Sequence, residues 1–125
     1  MIIGLGIDAV EINRFFLWQH KTPKQLSRIF SPEEILYCCA IPEKSAERFA
    51  VRFAAREALL KALTNCGFRV SLLQVSRASK VIKGLAPELF VDWAALGIEK
   101  GDFKTHLSLS HTKTAGYAVV IIEMK

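Results

Sequence analysis

The sequence predicts an α+β fold in which an antiparallel sheet packs against a long buried helix plus shorter helices. Residues 48–63 contain no Gly or Pro, and their uncharged positions are almost all apolar, which is typical of a buried helix. Segments rich in Val and Ile lie near both ends of the chain, at residues 2–12 and 117–123. Strands from the two ends can therefore pair in one sheet, with the helices on one side of it.

The first half of the chain predicts one strand and three helices. Residues 2–12 have the composition of a strand, and residues 15–27 predict a short helix that Pro23 interrupts. The sequence Ser-Pro-Glu-Glu at residues 31–34 is a capping box with Pro at the first helical position, so a helix should start there and end near Pro42. The long helix is expected over residues 44–65, and Gly67 is a natural stop.

The second half predicts mainly strands. Residues 73–82 alternate like a strand, and residues 85–91 predict a second short strand. Residues 92–96 are expected to form a helical turn. Residues 106–111 and 117–123 predict the last two strands, which residues 112–116 join.

The long helix carries charges among bulky apolar residues. At about 100° per residue, Arg52 and Arg56 fall inside the apolar arc, and Glu57 and Lys61 lie at its edge, one turn apart. Buried charges are costly unless they are paired or bind a ligand. These residues therefore form an internal ion network, such as a pair between Glu57 and Lys61, or they line a cleft for a charged ligand.

The composition indicates one folded domain over residues 1–125. Of the 125 residues, 51% are hydrophobic and 23% are charged, which is usual for a protein with a buried core. No apolar run has transmembrane length and the first ten residues lack a signal peptide's basic segment, so we expect no membrane partner. The three cysteines lack metal-ligand spacing, which indicates reduced, buried thiols in a cytoplasmic protein.

The net charge of +5 is unevenly distributed. Between Glu11 and Glu33 the chain has no acidic residue, and four cations interleave with Phe15, Phe16 and Trp18. Such a stretch suits an acidic partner, a polyphosphate or a nucleic acid, although a solvated helix face is the simpler interpretation from charge alone. The four cations are Arg14, Lys21, Lys24 and Arg28.

Two further segments contain candidate site residues. In a strand, Gly4, Gly6 and Asp8 share one face, and the two glycines allow another group to approach the carboxylate. A helix-capping Asp8 is the ordinary alternative. The hydroxyls of Ser108 and Ser110 could bind phosphate oxygens, and a polar sheet face explains them equally well. No G-x-S-x-G motif is present, which disfavours a Ser-His hydrolase.

Three motifs follow one another along the chain. GIDAVEINR at residues 6–14 is similar to a G-I-D-x-V-x-I-x-R signature. RFAAREALLKA at residues 52–62 is similar to an R-F-A-A-K-E-A-x-x-K-A signature, with Arg56 in place of the usual Lys. SLSHT at residues 108–112 is similar to S-x-S-H-T. In these motifs the chain resembles the holo-[acyl-carrier-protein] synthases, the short type of 4′-phosphopantetheinyl transferase. The resemblance runs over residues 1–123 and implies the fold of that family.

The resemblance implies an enzyme of fatty acid biosynthesis. This enzyme would transfer the 4′-phosphopantetheine group of coenzyme A to a serine of apo-acyl carrier protein and release adenosine 3′,5′-bisphosphate. Asp8 and Glu57 would hold Mg²⁺, with Mn²⁺ as an alternative, and Asp8, Glu57 and Lys61 would be catalytic. Residues expected to contact coenzyme A are Arg52, Arg56, Ser110 and His111.

The resemblance also implies partners. Carrier proteins of this type are acidic and dock on the family's first helix, so Arg14, Lys21, Lys24 and Arg28 would bind the carrier. Short members are typically homotrimers with sites between subunits. Two alternatives are a coenzyme A- or nucleotide-binding module without catalysis and a small RNA-binding domain. RNP and KH signatures are absent, and we expect no nucleic-acid partner.

Overall fold

The chain folds into a three-stranded antiparallel sheet, a long helix across one face of it, and a separate two-stranded sheet. The structure is a computed structural model that describes all residues 1–125. The α+β class predicted from the sequence is confirmed. The elements are β1 (Ile2–Glu11), α1 (Pro23–Leu26), α2 (Pro32–Cys39), α3 (Pro42–Asn65), α4 (Leu72–Ala78), β2 (Ser79–Ile82), β3 (Glu88–Val91), β4 (Phe103–His111) and β5 (Ala115–Met124).

The main sheet has the strand order β1-β5-β4, so β5, from the end of the chain, is the central strand and pairs with β1, from its beginning. Gly6 lies opposite Val120 in the β1–β5 pair, and Leu109 lies opposite Ala118 in the β4–β5 pair. The buried residues of β5 alternate with half-buried or exposed ones. One face of the sheet therefore packs against α3, and the other face does not.

Helix α3 approaches the sheet with its small side chains. A Cβ atom at Gly6 would collide with the Ala58 carbonyl oxygen, and one at Gly4 would collide with the Ala62 carbonyl oxygen. Near the other end of the contact, Gly116 faces Ala50 and Val51. The backbones of strand and helix are therefore in direct contact, which glycine permits and other residues do not.

The far side of α3 carries the large side chains of the core. Phe49, Leu59 and Leu63 are fully buried there. An aromatic cluster covers the N-terminal half of the helix, and in it the Phe30 and Phe49 ring centroids are 5.1 Å apart. Tilted aromatic pairs at this separation add to the stabilisation that area burial provides.

Two predicted elements are wrong in type. Residues 73–82 are not one strand, because Leu72–Ala78 forms α4 and only Ser79–Ile82 forms β2. Ser71 caps α4 in a capping box with Gln74, and this local signal decides for the helix. Residues 15–27 are not one helix: a 3₁₀ turn, Ile12–Phe15, ends where this segment begins, and a second 3₁₀ turn, Trp18–His20, precedes α1. The break before α1 arises because Pro23 cannot donate a backbone hydrogen bond and Thr22 caps a new helix there.

The remaining elements agree with the sequence in type and differ only at their ends. The capping box of Ser31 and Glu34 starts α2 as predicted. All three cysteines are free, and burial raises the pKa of the Cys38 thiol to about 12. None of the helices has the length and apolar character needed to cross a bilayer.

Candidate active site

Asp8 lies on the face of β1 that packs against α3. Gly4 packs against the helical turn at Ala62, and Gly6 packs against the turn at Ala58. A step of two residues along β1 therefore covers the same distance as a step of four residues along α3. The two distances agree because a strand rises about 3.3 Å per residue and a helix about 1.5 Å per residue. Asp8 is therefore level with the helical turn before Ala58, and its side chain is only 15% exposed.

Lys61 reaches across this contact to Asp8. Its Nζ donates to Asp8 Oδ1 at 3.1 Å and to the carbonyl oxygen of Ile7 at 2.9 Å. The lysine side chain remains 54% exposed. The ion pair considered between Glu57 and Lys61 is not formed, because Asp8 takes the place of Glu57 as the anion beside the lysine.

Glu57 provides a second carboxylate beside this pair. It is one turn before Lys61 on α3 and half-buried, and its carboxylate has no hydrogen-bond or ion-pair partner in the chain. Asp8 Oδ2 also has no hydrogen-bond partner. Two carboxylates with free oxygens match the way Mg²⁺ is usually held, with water and substrate phosphate as its other ligands. No group of three or more His, Cys, Asp or Glu side chains in the chain is arranged to hold a metal ion.

Arg56 is directed away from this site into the core. It is 0% exposed, and Nη1 and Nη2 donate to the two carboxylate oxygens of Glu34. Nη2 also donates to the Ser79 carbonyl oxygen at 3.0 Å. Arg56 thus joins α2, α3 and β2 in an internal ion pair, which was one of the two interpretations of the sequence. Its guanidinium has no surface left for the coenzyme A contact expected of it.

Arg52 is also separated from Asp8. Arg52 and Lys61 are nine residues apart, which places them on opposite sides of α3. The Arg52 guanidinium lies 4.6 Å from the centroid of the Tyr37 ring, and Nη1 donates to the Arg48 carbonyl oxygen at 3.3 Å. Arg52 therefore lines a different cleft from the one beside Asp8.

Ser110 and His111 lie near the end of β4, on the opposite edge of the sheet from β1. Ser110 is exposed on the face turned away from α3, whereas Asp8 is on the face turned toward it. His111 Nε2 is 3.0 Å from Glu47 Oε1. Glu47 and Glu57 are ten residues apart, or about 15 Å along the helix axis. One chain therefore does not bring Ser110 or His111 to Asp8.

The four basic residues of the N-terminal stretch are all exposed. The Arg14 guanidinium lies 4.8 Å from the centroid of the Phe53 ring, and Phe53 is one helical turn before Glu57. Lys21 stacks over Trp18, with Nζ 5.1 Å from the ring centroid. The basic surface, which consists of Arg14, Lys21, Lys24 and Arg28, thus borders the Asp8–Glu57 site.

Comparison with known proteins identifies the family. The sequence matches the 4′-phosphopantetheinyl transferase superfamily over residues 4–122. This chain belongs to that superfamily. The family predicted from the sequence motifs, and with it the transferase class, is confirmed.

Similar members of the superfamily are holo-[acyl-carrier-protein] synthases. The one from Treponema denticola is 42% identical over 123 residues, which cover 98% of this chain and 99% of that protein. The one from Geotalea daltonii is 37% identical, with the same coverage. A crystal structure of a holo-(acyl-carrier-protein) synthase from Bacillus anthracis with CoA (3′,5′-ADP) superposes with a TM-score of 0.77 at 28% identity, and the match covers 100% of this chain and 99% of that one.

Sequence reasoning missed two partners of the superfamily's motif residues. Glu34 pairs with Arg56, and Glu47 pairs with His111. The sequence predicts a capping-box role for Glu34, and its carboxylate does accept a hydrogen bond from the Ser31 amide at 3.1 Å. No local pattern predicts its second contact, because Arg56 is 22 residues further along the chain.

Proposed function

We propose that this chain transfers the 4′-phosphopantetheine group of coenzyme A to a serine hydroxyl of an apo-acyl carrier protein. The observation that carries the proposal is the site where Asp8 and Lys61 pair beside Glu57, at the border of a basic surface. Two carboxylates and a lysine suit a pyrophosphate substrate, and the adjacent cations suit an acidic protein.

The reaction is a displacement at phosphorus. The serine oxygen forms a bond to the phosphorus that carries pantetheine, and the bond from that phosphorus to the adenosine 3′,5′-bisphosphate oxygen breaks. The serine proton goes to an acceptor at the site, and Glu57 is the carboxylate there without a partner of its own. A water molecule at the site is the other candidate acceptor.

Lys61 provides a fixed positive charge for the phosphoryl oxygens. Asp8 and the Ile7 carbonyl oxygen occupy two of its donor directions, which orients the third. A preorganised cation stabilises the charge that develops on the transferred group without a reorganisation cost. Asp8 and Glu57 are the residues that would hold Mg²⁺, which neutralises pyrophosphate charge when bound.

We also propose that the site is completed between copies of the chain, as a homotrimer. Within one chain Ser110 and His111 lie on the opposite edge of the sheet from Asp8, and His111 pairs with Glu47, so in this proposal a second copy brings them to the ligand. The outer face of the main sheet supplies an apolar contact surface, since Leu5 is 56% and Ile7 59% exposed there. The free cysteines support a reducing, cytoplasmic setting for this single catalytic domain.

Mass spectrometry of the carrier tests the transferase proposal. Purified chain, apo-acyl carrier protein, coenzyme A and Mg²⁺ should yield carrier that has gained one phosphopantetheine group at its serine. A carrier whose serine is replaced by Ala is the matched control and should stay unchanged. Binding of coenzyme A without any mass gain on several carriers would reject transfer and favour a non-catalytic binding module.

A further inference from the structure

The free edge of β1 is covered by the end of α3. β1 is an outer strand of the main sheet, so the backbone groups on one of its sides have no partner in β5. Alternate residues of a strand direct their amide and carbonyl groups to the same side. Side chains at the end of α3 bond to three backbone groups on this side, which are the Ile3 carbonyl, the Leu5 amide and the Ile7 carbonyl.

Asn65 makes the central one of these three contacts. Its Oδ1 accepts a hydrogen bond from the Leu5 amide at 3.2 Å. One turn earlier on α3, Lys61 Nζ donates to the Ile7 carbonyl oxygen at 2.9 Å. The two contacts repeat the spacing of the glycine contacts between β1 and α3. Asn65 and Lys61 therefore hold the strand in the same register on the helix.

Cys66, the residue after α3, makes the third contact. Its Sγ donates to the Ile3 carbonyl oxygen at 3.3 Å, and burial raises the pKa of this thiol, which keeps the donor protonated. A thiol is a weak hydrogen-bond donor. Cys66 therefore contributes little directional hold on the strand.

Asn65 restrains the strand more firmly than Lys61 does. The asparagine side chain is short, whereas the long and flexible lysine stem can follow a strand that shifts. The glycine contacts limit how closely β1 approaches α3, but such contacts have no preferred direction and allow the strand to slide. A hydrogen bond is directional, so the bond between Asn65 and the Leu5 amide is the contact that opposes sliding.

We propose that Asn65 is a positioning residue for phosphopantetheine transfer. By holding the Leu5 amide, it keeps the Ile7 carbonyl and Asp8 at the distances that orient Lys61. A displacement of about 1 Å near the reacting groups can lower a rate on the order of 10²-fold. Asn65 itself contacts no reacting group in this inference, which rests on the proposed transferase function of the Asp8 site.

Nuclear magnetic resonance on the intact chain tests the contact itself. Asn65→Leu keeps a side chain of similar size and removes the acceptor, so the Leu5 amide should exchange its hydrogen roughly tenfold faster or more. The Lys61 ammonium resonance should move toward that of a free lysine. Asn65→Asp retains an acceptor oxygen and should preserve both signals. The matched control is Thr64→Val, which removes a neighbouring hydrogen bond to the Leu60 carbonyl oxygen and should preserve both signals as well.

Steady-state kinetics test the positioning role. For Asn65→Leu, kcat should fall about tenfold while the KM values for coenzyme A and carrier stay unchanged, because only the placement of Lys61 is altered. Asn65→Asp and Thr64→Val should keep the kcat of the unmodified chain. The urea midpoint should be the same in all three variants, which separates positioning from a general loss of stability.

Equal exchange of the Leu5 amide in Asn65→Leu and Thr64→Val would overturn the inference, because the contact would then be absent in solution. An unchanged kcat in Asn65→Leu, or an equal fall in Asn65→Leu and Asn65→Asp, would overturn it as well. An unmodified chain without any transfer would instead reject the transferase proposal, and the Lys61 resonance would still report whether Asn65 positions that lysine.

Discussion

The Lys61 ammonium group lies 3.1 Å from the carboxylate of Asp8, a residue 53 positions earlier in the chain. This pair joins the first strand to the long helix at the point where Glu57 is also available. The proposed chemistry depends on these three side chains, and they can be tested separately from the fold.

Removing either proposed metal-binding carboxylate should slow transfer strongly and leave the fold intact. For Asp8→Asn and Glu57→Gln we expect kcat to fall on the order of 10² to 10³, because a preorganised charge at the phosphoryl group is lost. The Mg²⁺ concentration for half-maximal rate should rise in both variants, whereas Glu99→Gln, an exposed carboxylate elsewhere, should behave as the unmodified chain. Unchanged Mg²⁺ dependence in both variants would contradict the metal assignment.

Charge reversal on the basic surface should weaken recognition of the carrier. For the double variant Lys21→Glu and Lys24→Glu, the KM for apo-carrier should rise about tenfold, because an acidic partner then meets like charge. The KM for coenzyme A should change little. The control is Lys100→Glu with Lys125→Glu, which reverses two exposed lysines in another region. If coenzyme A affinity falls instead, the basic surface binds the nucleotide and not the carrier.

A charge on the outer face of the main sheet should prevent self-association. Ile7→Lys places an ammonium group where Ile7 is 59% exposed, opposite Val119 of β5. We expect sedimentation velocity to show a trimer for the unmodified chain and a monomer for this variant, with a matching loss of transfer. Leu85→Lys, at a fully exposed apolar residue in a loop, should remain trimeric. An unmodified chain that sediments as a monomer would refute the assembly.

Breaking the buried ion pair should destabilise the fold without a direct effect on chemistry. Arg56→Met leaves the Glu34 carboxylate buried and alone, which should lower the free energy of unfolding by about 3–5 kcal/mol. The double variant with Glu34→Gln should recover part of this loss. Urea denaturation measures both, and Arg69→Met serves as an exposed control. A single variant as stable as the control would show that the pair has no structural role.

The sequence was informative where a local pattern has one physical solution. Alternation places Gly4, Gly6 and Asp8 on one face of β1, and this is the face that packs against α3. It is less informative for residues 72–78, because Leu72 and Val75 fit both a strand and a helix and only the cap at Ser71 decides for the helix. The role of Arg56 could not be read locally, because burial depends on elements that arrive from elsewhere in the chain.

The contact between the glycines of β1 and the carbonyl groups of α3 has a consequence for variation in this protein. Backbone atoms that touch fix the spacing between strand and helix, so the positions of Asp8 and Lys61 do not depend on the bulk of any side chain between them. The large residues on the other side of α3 can then be exchanged for others of similar volume without moving the reacting groups. One side of α3 thus holds the site residues in place, and the opposite side is where substitutions are tolerated.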